Sequence, residues 1–183
     1  MEKLKIGVIG VGHLGRLHTS IYTQISNADL VGIYDTDMKR SQEVAAEFNT
    51  TAFNNLDELI SGVQGVSIVV PTTLHHKVAT KVLKKGVHCL IEKPITSTIE
   101  EADDLIKTAA EQNSIIQIGH IERFNPAIVA LNGINLNPMF IESHRLASFN
   151  PRGTDVAVVL DLMIHDIDII LSLVKSPVAK IDA

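Results

Sequence analysis

Apolar residues recur along this chain in two alternating rhythms. Short unbroken runs over 4–9, 29–35, 66–70, 87–91 and 115–118 have the length of strands. The run 66–70 is continuous and mostly valine and isoleucine, as a strand buried on both faces requires. Between these runs, apolar residues fall three and four apart, the spacing of a helix with one buried face, over 14–25, 38–48, 74–84 and 96–112. A short strand at 51–53 and a short helix at 56–60 complete the series. Thr36 or Asp37, Asn54 or Asn55, and Ser97 or Thr98 are candidate N-caps, and Lys84-Lys85-Gly86 is a helix stop signal. Strands alternating with helices predict a doubly wound parallel α/β sheet, with right-handed crossovers and helices on both faces.

The rhythm changes after residue 120. A short helix over 125–131 leads into a loop rich in Asn, Gly and Pro at 132–138. Residues 140–147 alternate like a strand, 155–174 form a strongly apolar helix, and 178–182 begin another strand. One helix and two strand pieces bury little. The expected organisation is a domain over 1–120, followed over 121–183 by the N-terminal part of a truncated α+β domain. The helix in that part is expected to leave an apolar face exposed around 156–173.

Composition narrows the class. Hydrophobic residues make up 45% and charged residues 20%, and the net charge is −5 with no long block of one sign. This is a globular composition, with nothing to attract nucleic acid or a membrane surface. No apolar run approaches the roughly 20 residues of a membrane span. The chain enters its first strand directly after Glu2 and Lys3, so the expected location is the cytoplasm. The single cysteine, Cys89, sits in the apolar run 87–91 and reads as a buried core thiol rather than a nucleophile.

The chemistry gathers at strand ends. Gly10-x-Gly12-x-x-Gly15 follows the first strand and opens the first helix, and Asp35 ends the second strand 20 residues after Gly15. In that setting the glycines form a dinucleotide-binding fingerprint. Gly10 permits the turn, Gly12 lets the backbone approach a pyrophosphate, Gly15 brings helix and strand together, and Asp35 accepts from the ribose hydroxyls. The helix N-terminus, with the backbone at His13 and Leu14, faces the phosphates. An acid at Asp35 favours NAD, while Lys39 and Arg40 nearby keep NADP open. Ligands in such sheets bind at the carboxyl ends of the strands, which places Pro71, Thr72, His75, Glu92 and Lys93 on the same rim as further cofactor-binding candidates, with His120 there too. A lysine there, Lys93, can be partly desolvated for proton transfer, or it can be an ordinary solvated strand-end residue. Asp161-x-x-x-His165 spaces an acid and an imidazole by one helical turn, as an acid–base pair requires, although a helix salt bridge or half of a metal site shares that spacing. No metal-ligand motif accompanies it and no metal is expected. Asp166 and Asp168 read as structural, and His13, His18, His76, His88 and His144 as surface or satisfied core histidines.

Gly10-x-Gly12-x-x-Gly15, Pro71-x-x-x-His75, Glu92-Lys93-Pro94 and Asp161-x-x-x-His165, in this order and spacing, resemble the glucose–fructose oxidoreductase / inositol dehydrogenase family (Gfo/Idh/MocA) over essentially the whole chain. The resemblance implies a Rossmann domain, a nicotinamide cofactor, hydride transfer to or from a sugar-type substrate, and a homo-oligomer in the full-length form. It implies that Lys93 binds the reacting hydroxyl and assists proton transfer, that Asp161 holds the substrate, that His165 is the acid–base, and that His75 lies near nicotinamide and substrate. Gly119-His-Ile-Glu-Arg-Phe-Asn-Pro126 is similar to the segment in members that oxidise the 3-hydroxyl of UDP-N-acetylglucosamine-type nucleotide sugars. On that basis His120, Arg123, Phe124 and Asn125 line a substrate site, although a helix start capped at Asn125-Pro126 explains the last two residue types equally well. Family members exceed 300 residues, so the chain resembles a shortened copy. A non-catalytic dinucleotide-binding module and a different Rossmann reductase are the alternative readings.

Overall fold

The structure, a computed structural model, describes residues 2–146 and 157–182. It divides into two compact units, Met1–Gly119 and His120–Ala183.

In the first unit six parallel strands form one sheet: β1 (Leu4–Ile9), β2 (Ala28–Tyr34), β3 (Thr51–Ala52), β4 (Gly65–Ile68), β5 (His88–Ile91) and β6 (Ile116–Ile118). Their order is β3-β2-β1-β4-β5-β6, the Rossmann order, which reverses direction between β1 and β4. The connecting helices are α1 (His13–Tyr22), α2 (Met38–Phe48), α3 (Leu56–Ser61), α4 (Thr72–Leu83) and α5 (Ile99–Glu111). Neighbouring residues of β1 point to opposite faces. Ile9 joins one buried cluster with Leu59, Ile68, Val82, Leu83 and Leu105. Val8 joins the other, with Val11, Ile33, Val44 and Ala45. On that second face the fully buried Ser67 of β4 meets the Tyr22 hydroxyl of α1 at 2.8 Å, so the one polar side chain of the central strand is satisfied.

The expected strands and helices of this unit are present with ends moved by a few residues. Strand β4 stops at Ile68 rather than at residue 70, because Val70 and Pro71 turn into α4, which begins at Thr72. Helix α5 starts at Ile99, where Thr98 caps it and Glu101 accepts the Ser97 N–H in return.

The second unit departs further from expectation. A 3₁₀ turn (Ile121–Phe124) precedes a four-residue helix, α6 (Pro126–Val129). Residues 140–146 and 178–182 are not strands: with no partner strand beside them among the described residues, alternation alone does not make a ladder. The apolar helix is present as a π-helical turn (Val159–Met163) running into α7 (Ile164–Leu173). The expected start at 155 and 156, and residue 147 of the expected strand, lie outside the described residues. Val158, Val159, Leu162, Met163, Ile167 and Leu171 of this helix are exposed. Among the described residues no helix is long and apolar enough to cross a membrane.

Candidate functional site

Five helices begin along the carboxyl edge of the sheet, and their caps differ. Asp37, Asn55 and Thr98 each place a side-chain oxygen on a first-turn N–H of α2, α3 and α5. Helices α1 and α4 start at Gly12 and Pro71, which supply no such bond. These two follow β1 and β4, the strands on either side of the reversal. The donors without a side-chain cap therefore lie at the point where an open α/β sheet binds its ligand.

The glycines of the first turn do different work. Gly10 has φ +85°, and a Cβ there would stand 2.6 Å from the Val69 carbonyl oxygen. A Cβ on Gly15 would overlap the Gly10 carbonyl oxygen, so α1 packs on the turn only if position 15 is bare. At Gly12 a Cβ would meet nothing within 4 Å. Packing within the protein therefore explains Gly10 and Gly15 and leaves Gly12 unexplained, as expected if its bare backbone is there for a ligand's approach. Asp35 is 9% exposed. Its two oxygens accept the Val11 N–H at 2.8 Å and the Asp37 N–H at 2.9 Å. The acid thus ties the glycine turn to the end of β2, and each oxygen keeps a second lone pair for a ribose hydroxyl. These features fit a dinucleotide: uncapped α1, open Gly12 and a positioned carboxylate.

Beyond β5, Glu92 is tied down on three sides. His18 of α1 meets it at 3.0 Å, its other oxygen accepts the Lys93 N–H at 3.2 Å, and Gly119 lies against it so closely that a Cβ would come within 3.1 Å. Burial pushes the Glu92 carboxyl up, but the hydrogen bond and charge of His18, with the N–H and charge of Lys93, outweigh it and hold the group below its ordinary range. His18 and Glu92 lie 74 residues apart, so no sequence motif links them. His75 is 1% exposed, and its ring nitrogens lie 2.9 Å from the Pro94 and Val70 carbonyls. The ring is bracketed by main chain and links the β4–α4 turn to the loop after Lys93, whose bond to Pro94 is cis. Thr72 is buried at the start of α4.

In the second unit, α7 carries two forked ion pairs. Arg123 donates from Nε and Nη2 to Asp168 at 2.6 and 2.7 Å, and Arg145 donates likewise to Asp166 at 2.8 Å twice. Hydrogen bonding to the arginine holds each carboxyl below its ordinary range. His120 Nδ1 lies 4.0 Å from Asp168. Asn125 caps α6 through the Ala127 N–H at 3.1 Å, with Pro126 at the first helical position. Phe124 is 78% exposed. Arg123, Asn132, Ser172 and Lys175 line a cavity of about 320 Å³. Asp161 and His165 are half-buried. They flank the change from π to α geometry, where the Ile164 N–H reaches back to the Val159 carbonyl, so their angular offset is not that of a plain α-helix.

Strand order, fingerprint loop and positioned acid define a dinucleotide-binding Rossmann unit. Residues 4–120 match the model of the Gfo/Idh/MocA oxidoreductase family, NAD-binding Rossmann fold, and the chain belongs to that family. It is 48% identical over 174 residues to UDP-N-acetylglucosamine 3-dehydrogenase of Acidithiobacillus ferrooxidans, covering 94% of this chain and 55% of that one. A solved structure of that enzyme superposes with a TM-score of 0.89 at 48% identity, over 94% of this chain and 57% of that one. Inositol 2-dehydrogenase of Rubrobacter xylanophilus is 28% identical over 91% of this chain and 51% of its own length. The solved structure of GenD2 from gentamicin A biosynthesis, in complex with NAD, gives a TM-score of 0.70 at 26% identity, over 74% of this chain and 39% of that one. The chain therefore spans about half the length of the relatives it matches.

Proposed function

We propose that the protein acts as an NAD-dependent dehydrogenase on a secondary hydroxyl of a sugar, and that the sugar is a nucleotide sugar of the UDP-N-acetylglucosamine type. The observation that carries the reading is the pair of helices without side-chain caps, α1 and α4, flanking the β1–β4 reversal beside an unobstructed Gly12. The 48% identity to a UDP-N-acetylglucosamine 3-dehydrogenase supports the substrate class. NAD, when bound, supplies the hydride acceptor. Gly10, Gly12, Gly15 and the backbone of His13 and Leu14 cradle its phosphates, Asp35 accepts from its ribose, and Pro71 and Thr72 border it. Lys93 binds the reacting hydroxyl and helps to take its proton, His165 is the acid–base, and Asp161 orients the sugar. Arg123 keeps three N–H groups beyond those given to Asp168 and offers them to the substrate, with His120, Phe124 and Asn125 beside it. Glu92 and His75 act on the site by holding Lys93 in place. The protein works in the cytoplasm, as a homo-oligomer in its full-length form.

The test is NADH formation by a form spanning the length of its relatives, offered UDP-N-acetylglucosamine, myo-inositol and glucose 6-phosphate in turn. Turnover of the nucleotide sugar alone, abolished by His165→Ala with NAD affinity retained, is the expected result. Turnover of inositol instead, or an unaffected His165→Ala variant, overturns the reading.

A further inference from the structure

We infer that Asp37, which pairs with Arg40, is a second determinant of dinucleotide choice, separate from Asp35. The inference rests on the dinucleotide-binding reading above. Asp35 is nearly buried and holds the Val11 and Asp37 N–H groups. It is therefore part of the turn's scaffold as well as a ribose acceptor. The carboxylate that stands in solvent at this corner is Asp37, 47% exposed at the start of α2. One of its oxygens caps the helix through the Arg40 N–H at 3.1 Å, and the other lies 3.4 Å from Arg40 Nη2.

Arg40 is the guanidinium nearest in sequence to the ribose-binding acid, and a guanidinium in this region is the usual partner of a 2′-phosphate. Asp37 already lies beside it, 3.4 Å from Nη2. The other cation of this turn, Lys39, is 86% exposed and lies 4.0 Å from Glu43. A 2′-phosphate would thus meet the exposed charge of Asp37 and an arginine that already has an acidic neighbour. Asp37 both repels the extra phosphate and withholds the group that would bind it. Serine caps a helix about as well as aspartate, so Asp37→Ser removes the charge and frees Arg40 while leaving α2 and the main-chain N–H to Asp35 in place.

The experiment is calorimetric titration of the 183-residue chain, wild type and variants, with NAD and with NADP. Asp37→Ser is expected to raise NADP affinity relative to NAD by on the order of tenfold, the size of one charge-assisted hydrogen bond. Asp37→Ser with Arg40→Ala is expected to return most of that rise. Asp35→Ser is expected to weaken both dinucleotides, because the Val11 N–H loses its acceptor. An unchanged NADP to NAD ratio in Asp37→Ser, in a wild type that binds NAD, overturns the inference and leaves the proposed function standing. An equal rise with and without Arg40 overturns the role of the arginine. A folded wild type that binds neither dinucleotide overturns both.

Discussion

Alanine at positions 10, 12 and 15 separates the part of the glycine turn that serves folding from the part that serves binding. At Gly15 the new methyl would overlap the Gly10 carbonyl oxygen, with that carbonyl's carbon 2.8 Å away. The obstacle is backbone and cannot rotate aside, so α1 must lift from the turn. Overpacking of a well-filled site costs about 1–3 kcal/mol, and a backbone obstacle puts this case at the upper end. At Gly10 an L-residue must adopt φ +85°, at about 1–2 kcal/mol, and its Cβ would sit 2.6 Å from the Val69 oxygen. Gly12 has φ −63° and open space on its Cβ side, so Gly12→Ala should fall within about 0.5 kcal/mol of wild type. A chain of this size loses about 2–4 °C of Tm per kcal/mol. Melting followed by circular dichroism should place Gly10→Ala and Gly15→Ala about 6–12 °C below wild type, and Gly12→Ala within about 2 °C of it. Calorimetry should invert the comparison for Gly12→Ala: NAD affinity falls by about tenfold or more, about 1.4 kcal/mol, because the methyl occupies the line of approach to the pyrophosphate. A Gly12→Ala protein that melts as low as Gly15→Ala would show that position 12 is needed for packing after all. One that binds NAD as well as wild type would show that the dinucleotide does not come close to this turn.

Three further outcomes follow from side chains that support the sheet. Glu92 has its folded pKa below the ordinary 4.5; its contribution to stability is present above that value and is lost as pH falls through the folded pKa. With His18→Ala, burial is left less opposed, so the acid limb of the stability profile should move to higher pH in denaturant titrations; limbs that superpose would refute the link. Tyr22→Phe strands the buried Ser67 hydroxyl and should cost about 1–3 kcal/mol, while Tyr22→Phe with Ser67→Ala should recover part of it. A strictly additive double variant would show that the hydroxyls do not depend on each other. Burial pushes the Cys89 thiol up to about 12, so a thiol reagent at about pH 8 should label nothing in the native chain and one group per chain in denaturant; rapid native labelling would contradict the buried strand.

What the sequence disclosed about this molecule follows the range of the forces involved. Strand β1, the glycine turn and Asp35 are local: the apolar run, the bare positions and the acid are fixed within about 30 residues, and in the structure Gly10 makes the turn and Gly15 the close helix–strand approach that their lack of a side chain suggested. The caps Asp37, Asn55 and Thr98 are local too, because a helix N-terminus is satisfied by its own neighbours. The Glu92–His18 contact and the bracketing of His75 were not legible, because each joins elements that only the strand order β1-β4-β5 brings together. Residues 140–146 and 178–182 show the same limit from the other side. Their alternation is strand-like, but a strand exists only against a partner, and none of the described residues supplies one. Asp166 and Asp168 read as structural from the sequence, but the arginines they pair with, Arg145 and Arg123, were not legible there. That pairing also commits part of Arg123 to holding Asp168 of α7. Two of its donors already serve the fold, and only the three N–H groups that remain are available for chemistry.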